Sequence, residues 1–310
     1  MRTAFVHALV ELAEHDERVV LMTGDLGFMA LEPFRDRFPD RYFNMGVAEQ
    51  NMVGVATGLA DAGFIPFCYS IVPFAVLRPY EFIRNGPVLH GLPVRIVGMG
   101  GGFEYGTAGP THYGIEDVGV MRLLQDMAVI APADAEQATT AVSALSEWPG
   151  PAYLRLGKND KLRVPGLDGR FELGRVQEVR SGSDVVLFTM GSVGAAVVEA
   201  AEELEREGIS AAVVVVASVS PAPRADIIRL VSGCRHAVTI EAHVSNGGIG
   251  SLVGETIAES GAACRLLRMG VDRPYGERGG SEAFLHETHG ISAPCIVDRV
   301  RRHLELKSAS

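Results

Sequence analysis

Several kinds of feature are missing from this sequence of 310 residues, and each absence excludes a class of protein. Basic residues are outnumbered, since the formal net charge is −10, and no stretch concentrates lysine and arginine. This argues against a nucleic acid or an anionic membrane as a partner. No apolar run approaches the ~20 residues that a membrane-spanning helix needs. The four cysteines form no CxxC pair, which predicts neither a zinc site nor a disulfide framework: Cys68, Cys234, Cys264 and Cys295.

The N-terminal residues also lack the features of a secretory leader. In MRTAFVHALVELAEH, the apolar residues Phe5, Ala8, Leu9 and Leu12 recur at the spacing of an amphipathic helix. Together with cysteines that we expect to be free thiols, this predicts a cytoplasmic protein.

Strand-like and helix-like segments alternate along the chain, which predicts two doubly wound α/β domains. Apolar runs such as RVVLMTG (18–24), PVRIVGM (93–99) and AAVVVVASV (211–219) are typical of strands that are buried on both faces. The alternation breaks in a polar segment that is rich in turn residues. We therefore predict a first domain over residues 1–160, a linker over 161–182 and a second domain over 183–310.

A carboxylate heads an otherwise apolar helix in NMGVAEQNMVGVATGLA, residues 44–60. Glu49 shares one helical face with four apolar residues, Met52, Val53, Ala56 and Ala60. One interpretation is a first-turn glutamate that interacts favourably with the helix N-terminus. The other is a carboxyl group held in a dry site to handle a proton.

The same stretch resembles the catalytic-glutamate helix of transketolases and related thiamine diphosphate enzymes. The likeness continues in TGDLG, FAVLRPYEFIRN, GPTHYGIEDVGVMR and GPAYLRLGK, and in VVLFTMGS, TIEAHVSNGGIGS and MGVDRPYGERG of the second half. It covers essentially the whole chain, but only the second half of a full-length transketolase. The resemblance implies a pyrimidine-binding domain followed by a transketolase C-terminal domain. It also implies transfer of a two-carbon ketol unit from a ketose, or ketose phosphate, to an aldehyde acceptor.

The resemblance implies two catalytic residues. Glu49 would hydrogen-bond the pyrimidine ring of thiamine diphosphate, and partial desolvation would strengthen that bond. His112, in GPTH, would contact the reacting oxygens of the substrate, donating a hydrogen bond or moving a proton. For an isolated loop histidine, the alternative is an ordinary surface residue.

Five further residues are candidates for binding. Phe74 would stack on the pyrimidine ring, with Tyr69 as a weaker candidate. Asp25, at a strand end, would lie at the carboxyl edge of the sheet, where sites of α/β proteins form. Arg155 would grip a sugar phosphate, and Arg78 is a second candidate for an anionic group. The alternatives are core packing for Phe74, a turn residue for Asp25 and an ordinary salt bridge for Arg78.

Two positions depart from the pattern of many transketolases. Ala108 stands where many have an aspartate that contacts a substrate hydroxyl, and Gly100 where many have a phosphate-contacting histidine. The loss of two polar contacts predicts an acceptor other than the usual pentose and hexose phosphates.

The motif that holds the diphosphate through Mg²⁺, a GDG followed by an asparagine ~25–30 residues later, is missing from the sequence. We therefore predict no metal ligands in this chain. A separate subunit would carry that motif, in a two-plus-two heterotetramer with the cofactor at the interface. The β subunit of a 2-oxo acid dehydrogenase also needs a partner and is an alternative, although GPTHYGIED and YLRLG favour a transketolase. A non-catalytic partner subunit is a second alternative.

Overall fold

The computed structural model describes residues 1–272 and 279–305. Residues 273–278 of the MGVDRPYGERG motif lie outside the described residues. Two sheets, each dominated by parallel strands, are covered by helices, and this confirms the prediction of a doubly wound α/β architecture.

Twelve strands are found in the described residues, and the apolar runs of the sequence form their centres. The first six are β1 (Val19–Thr23), β2 (Tyr42–Asn44), β3 (Ile65–Ile71), β4 (Arg95–Met99), β5 (Ala128–Ile130) and β6 (Ala152–Leu156). The others are β7 (Gln177–Arg180), β8 (Val185–Thr189), β9 (Ala211–Val215), β10 (Ser218–Ser220), β11 (His236–Val244) and β12 (Arg265–Val271).

The first sheet has the order β10-β5-β6-β4-β3-β1-β2, and the second has the order β12-β11-β8-β9-β7. In each, only one edge strand is antiparallel: β10 against β5, and β7 against β9. Every residue of β1, β4, β8 and β9 is buried, as expected for parallel strands that are covered on both faces.

Twelve α-helices are described in the same residues. Those of the first half are α1 (Arg2–His15), α2 (Glu32–Arg37), α3 (Glu49–Asp61), α4 (Val72–Val76), α5 (Tyr80–Ile83), α6 (Asp117–Met121) and α7 (Ala135–Ser146). Those of the second half are α8 (Gly194–Arg206), α9 (Arg224–Ser232), α10 (Ile249–Ser260), α11 (Glu282–Thr288) and α12 (Ala293–Glu305). Among these described helices, none has the length and apolar character required to cross a bilayer.

The apolar run AAVVVVASV does not form the single strand that its composition predicts. Its first part is β9 in the second sheet, and its last residues belong to β10 in the first sheet. Between them, the Val216 amide donates to the Thr189 carbonyl, and the Ala217 carbonyl accepts from the Ala131 amide. Every residue of the run is buried, Ser218 included, because the run passes through the interior between the two sheets.

The segment that we predicted as a linker, residues 161–182, contains β7, which forms the antiparallel edge of the second sheet. Conversely, β10 of the second half pairs with the first sheet. The segment 161–182 therefore supplies an edge strand to the second sheet, and the second half supplies one to the first sheet. The division of the chain at residues 160 and 183 stays a prediction.

A buried arginine joins the two halves of the molecule. Arg155, in β6, is 4% exposed. Its Nε donates to Asp117 Oδ2 at 2.9 Å, and its Nη2 donates to the carbonyls of Gly114 (2.7 Å) and Ala242 (2.9 Å). Because Ala242 lies on β11, the guanidinium holds the second sheet against the first.

A buried histidine makes a second connection. His243 Nε2 accepts a hydrogen bond from the Gly119 amide at 3.1 Å, and Nδ1 lies 2.7 Å from the Val244 carbonyl, to which it donates. Burial lowers the pKa of His243, which keeps the ring neutral and fits one donor and one acceptor nitrogen.

We expect Arg155→Ala to destabilise the protein by about 3–5 kcal/mol, because the Asp117 carboxylate would lose its buried cationic partner. The matched control is Arg206→Ala, since Arg206 pairs with Glu203 at the surface and both side chains are exposed. That change should cost less than about 1 kcal/mol. Urea unfolding would measure both, and equal losses would contradict the role assigned to Arg155.

Candidate active site

The Glu49 carboxylate lies in the interior at the carboxyl edge of the first sheet. It belongs to the first residue of α3, whose buried face consists of Glu49, Met52, Val53, Ala56 and Ala60, as the helical spacing predicted. Glu49 is 0% exposed. Its Oε1 accepts a hydrogen bond from Ser70 Oγ at 2.9 Å, and its Oε2 accepts one from Arg78 Nη1. Burial of a charge is costly without such partners.

The backbone beside this carboxylate approaches it closely. A Cβ atom at Gly24 would lie 3.0 Å from Glu49 Oε1 and 3.3 Å from Cδ. Gly24 follows β1 directly, so only a residue without a side chain leaves the carboxyl group its place. Glu49 is thus enclosed by the ends of β1 and β3 and by the segment that contains Arg78.

Four of the predicted site residues form one continuous cluster. The Arg78 guanidinium pairs with Glu49, and its Cζ lies over the Phe74 ring at 4.5 Å from the centroid. The Phe74 and His112 rings meet edge-on, with centroids 5.1 Å apart and an interplanar angle of 75°. His112 lies in a short 3₁₀ turn, Pro110–His112, and its Nδ1 is 2.9 Å from Thr111 Oγ1. We call Glu49, Arg78, Phe74 and His112 the site cluster.

Asp25 lies near this cluster at the end of β1. It is exposed, with a φ of 59°, and it accepts a hydrogen bond from Asn44 Nδ2 at 2.9 Å. The Asn44 side-chain oxygen in turn accepts from the Gly46 amide at 3.0 Å. Asp25 therefore connects the end of β1 to the loop that leads into α3, which is the arrangement of a turn residue at the sheet edge.

The assignment of Tyr69 to cofactor binding is not supported by its position. Successive side chains of a strand point to opposite faces. Ser70 of β3 points towards Glu49, whereas Tyr69 is 1% exposed and stacks on Phe5 of α1 with centroids 6.0 Å apart. Burial raises the pKa of the Tyr69 hydroxyl. Tyr69 belongs to the core on the other side of the sheet.

The assignment of Arg155 to a sugar phosphate is likewise not supported. Its Nε and Nη2 donate to Asp117 and to two carbonyls, and the side chain is buried between the two halves. Arg78, the second candidate for an anionic group, forms the salt bridge that was its alternative interpretation. Its side chain is 34% exposed, so Arg78 is the member of the Glu49–Arg78 pair that solvent reaches.

The structure of the loop before His112 explains why a glycine, and not a histidine, stands at position 100. Gly100 has a φ of 81°, and a Cβ there would lie 2.2 Å from Cε2 of Tyr105. This position is filled by the Tyr105 ring, so a histidine would not fit there without moving that ring. Lys158 Nζ lies 4.0 Å from the centroid of the same ring. Ala108 is exposed in the short turn Gly106–Ala108.

Glu104, in the same loop, accepts a hydrogen bond from the Lys158 amide. Burial raises its pKa to about 7, and the nearby Glu282 carboxylate also acts to raise it.

Sequence reasoning missed three polar residues that organise this region: Ser70, Asn44 and Asp117. Ser70 could have been found from strand alternation, since β3 leads to the FAVLRPYEFIRN segment. Asp117 is 1% exposed and accepts from the Tyr153 hydroxyl at 2.6 Å as well as from Arg155. Only the fold brings it next to those partners.

The residues of the site cluster fit the pyrimidine part of thiamine diphosphate. A buried carboxyl group and an aromatic ring that share Arg78 as a neighbour are the kinds of group that a flat heterocycle with a basic ring nitrogen needs. For a metal ion, the described residues contain no cluster of three or more His, Cys, Asp or Glu side chains that could hold one.

Comparisons with known proteins identify the family of this chain. The family described as "Transketolase, pyrimidine binding domain" matches residues 1–161, and "Transketolase, C-terminal domain" matches residues 174–294. An apulose-4-phosphate transketolase subunit of Actinobacillus succinogenes is 33% identical over 86% of this chain and 86% of its own length. A 6-deoxy-6-sulfo-D-fructose transketolase subunit of Clostridium sp. is 34% identical over 99% of this chain and 95% of its own.

Solved structures are similar as well. One is described as "Split gene transketolase, inactive beta4 tetramer"; it is 37% identical, with a TM-score of 0.90, and the match covers 99% of this chain and 98% of that one. The crystal structure of transketolase from Campylobacter jejuni is 20% identical with a TM-score of 0.79, over 97% of this chain and 46% of that one. The latter likeness concerns the fold alone.

The close approach of Gly24 to Glu49 can be tested by stability. Gly24→Ala should destabilise the protein by about 1–3 kcal/mol, because the added methyl group displaces a carboxylate that is held by Ser70 and Arg78. Gly58→Ala, in α3, is the control, since a Cβ there would meet nothing within 4 Å. It should be neutral or stabilising by about 0.5–1 kcal/mol. Denaturant unfolding measures both; a neutral Gly24→Ala would show that the carboxylate is free to move.

Proposed function

The chain belongs to the transketolase family, and from that membership we propose that it is the subunit of a two-chain transketolase that holds the pyrimidine ring of thiamine diphosphate. The single observation that carries the proposal is the buried Glu49 carboxylate in one cluster with the Phe74 and His112 rings. The reaction is the transfer of a two-carbon ketol unit from a ketose, or ketose phosphate, to an aldehyde acceptor. The names of the relatives give different substrates, apulose 4-phosphate for one and 6-deoxy-6-sulfo-D-fructose for the other.

Three residues of the site cluster, Glu49, Phe74 and His112, have distinct tasks in this proposal. When bound, thiamine diphosphate would supply a nucleophilic carbon for reaction with a carbonyl group. Glu49 would hold the pyrimidine ring through a hydrogen bond and would hold a proton at its carboxyl group. Phe74 gives that ring an apolar face, and His112 donates a hydrogen bond to the oxygen that becomes charged on the substrate. Asp25 fixes the loop that precedes Glu49.

A separate subunit completes the site in this proposal. It carries the GDG and asparagine motif, binds the diphosphate and Mg²⁺, and assembles with this chain in an α2β2 heterotetramer. Support comes from the motif's absence from the sequence, and from a relative whose β chains are described as an inactive tetramer.

The surface near Glu49 also supports a partner. Val47, just before α3, is 72% exposed, and Met29, after β1, is 89% exposed. On α3, a Cβ atom at Gly58 would meet no described atom within 4 Å, and a Cβ atom at Gly54 would meet only the Phe82 ring. These exposed apolar and small residues near the site are typical of a surface that another chain covers.

Glu49→Gln tests the catalytic role. Glutamine has nearly the same shape and keeps an oxygen for Ser70, so we expect a folded complex with turnover lowered by at least about 10²-fold. The readout is ketol transfer together with the circular dichroism spectrum. Glu14→Gln, on the exposed face of α1, is the matched control and should leave turnover unchanged. Normal turnover in Glu49→Gln would remove the catalytic assignment.

Co-purification tests the two-chain assembly. A tagged copy of this chain should recover a chain that carries GDG, and calorimetry of the complex with thiamine diphosphate and Mg²⁺ should show binding. Micromolar binding by this chain alone would contradict the division of the site. Product analysis separates the alternatives: release of CO₂ from a 2-oxo acid would identify a dehydrogenase component instead of a transketolase.

A further inference from the structure

Arg78 makes two contacts at once within the site cluster. Its guanidinium donates to Glu49 Oε2, and its Cζ lies 4.5 Å from the centroid of the Phe74 ring. A guanidinium is flat, carries N–H donors in its plane and stacks on aromatic rings. Arg78 therefore contacts the carboxyl group through Nη1 and lies over the aromatic ring.

These are the same two groups that the proposed function assigns to the pyrimidine ring. A flat heterocycle that hydrogen-bonds Glu49 and stacks on Phe74 needs the space in which the Arg78 guanidinium lies. Two planar groups do not share that space. Either Arg78 moves when the ring enters, or the ring does not reach both residues.

Resting on that proposed function, we propose that Arg78 is an internal placeholder, which occupies the position of the pyrimidine ring and rotates out when the cofactor binds. In the placeholder arrangement the guanidinium neutralises the Glu49 carboxylate. Once Arg78 leaves, Glu49 keeps its bond from Ser70, so the carboxyl group stays in position while its second oxygen becomes available to the ring.

The position of Arg78 in the chain permits this movement. It lies between α4 and α5, in the link formed by residues 77–79, and outside both helices. Its side chain is 34% exposed, whereas that of Glu49 is 1% exposed. The guanidinium therefore has a direct route to solvent, and the carboxylate does not.

A placeholder lowers the apparent affinity for the cofactor. The observed dissociation constant equals the intrinsic one divided by the fraction of molecules in which Arg78 has moved out. If that fraction is about 0.1 to 0.3, removal of the guanidinium tightens binding by about three- to tenfold. The same change weakens the chain itself, because Glu49 loses its cationic partner. Removal of a placeholder should therefore raise the affinity for the cofactor and lower the stability of the chain. Removal of a purely structural residue would lower both.

The experiment uses the complete two-chain complex and thiamine diphosphate with Mg²⁺ as the titrant. Arg78→Ala should lower the dissociation constant measured by calorimetry by about three- to tenfold. The melting temperature of the variant chain should fall by about 2–4 °C. Arg78→Lys keeps the charge but has no planar group to stack on Phe74, so its gain in affinity should be smaller. If Arg78→Ala does not fold, Arg78→Met takes its place in the titration.

Arg84→Ala is the matched control. Arg84 follows α5 on the same segment, is exposed and donates only to the neighbouring Asn85 in the described contacts. Its removal should change neither affinity nor melting temperature. A wild-type complex that binds no thiamine diphosphate would refute the proposed function itself. A wild-type complex that binds it, with Arg78→Ala weaker or unchanged, would refute only the placeholder.

Discussion

The buried carboxylate of Glu49 is the constraint around which the candidate site is organised. A carboxylate with no exposed surface needs partners for both oxygens, and here Ser70 and Arg78 supply them. These partners fix the end of β3 and the link between α4 and α5. The need for glycine at position 24 follows from the available space, because any side chain at the end of β1 would meet the Glu49 carboxyl group. One buried charge thus determines residues on three separate segments.

Arg78 and Arg155 each pair with a buried carboxylate, and these two pairs serve different purposes. Arg155 and Asp117 are both almost inaccessible, and their remaining hydrogen bonds go to backbone carbonyls and a tyrosine. Such a pair holds the two sheets together. Arg78 is one-third exposed and has a carboxylate on one side and an aromatic ring on the other. Exposure and the nature of the neighbours, more than the residue type, separate a structural pair from one at a site.

The division of the chain into two halves is less sharp in space than in the sequence. The apolar run at 211–219 begins in one sheet and ends in the other, and the polar segment before it supplies an edge strand. Together with Arg155 and His243, this crossing gives the first sheet a fixed position relative to the second. A site at the carboxyl edge of the first sheet therefore has a rigid support on one side, while its α3 surface stays open to another molecule.

Local patterns in the sequence were sufficient for the fold class, the family and the buried face of α3. They consist of alternating apolar runs, the helical spacing around Glu49 and the order of short motifs. The resemblance of these motifs to transketolases also singled out Glu49, Phe74 and His112 as candidates, with Arg78 as a further candidate for an anionic group.

Which polar groups meet could be learned only from the packed chain. Tyr69 and Ser70 are neighbours in sequence, yet strand alternation sends one to the core and the other to Glu49. The sequence predicted Arg155 as a phosphate ligand, but in the folded chain its guanidinium lies between the two sheets. The position of Gly100 beside the Tyr105 ring was also visible only in the structure. Burial and pairing depend on residues far apart along the chain, and therefore no local pattern contains them.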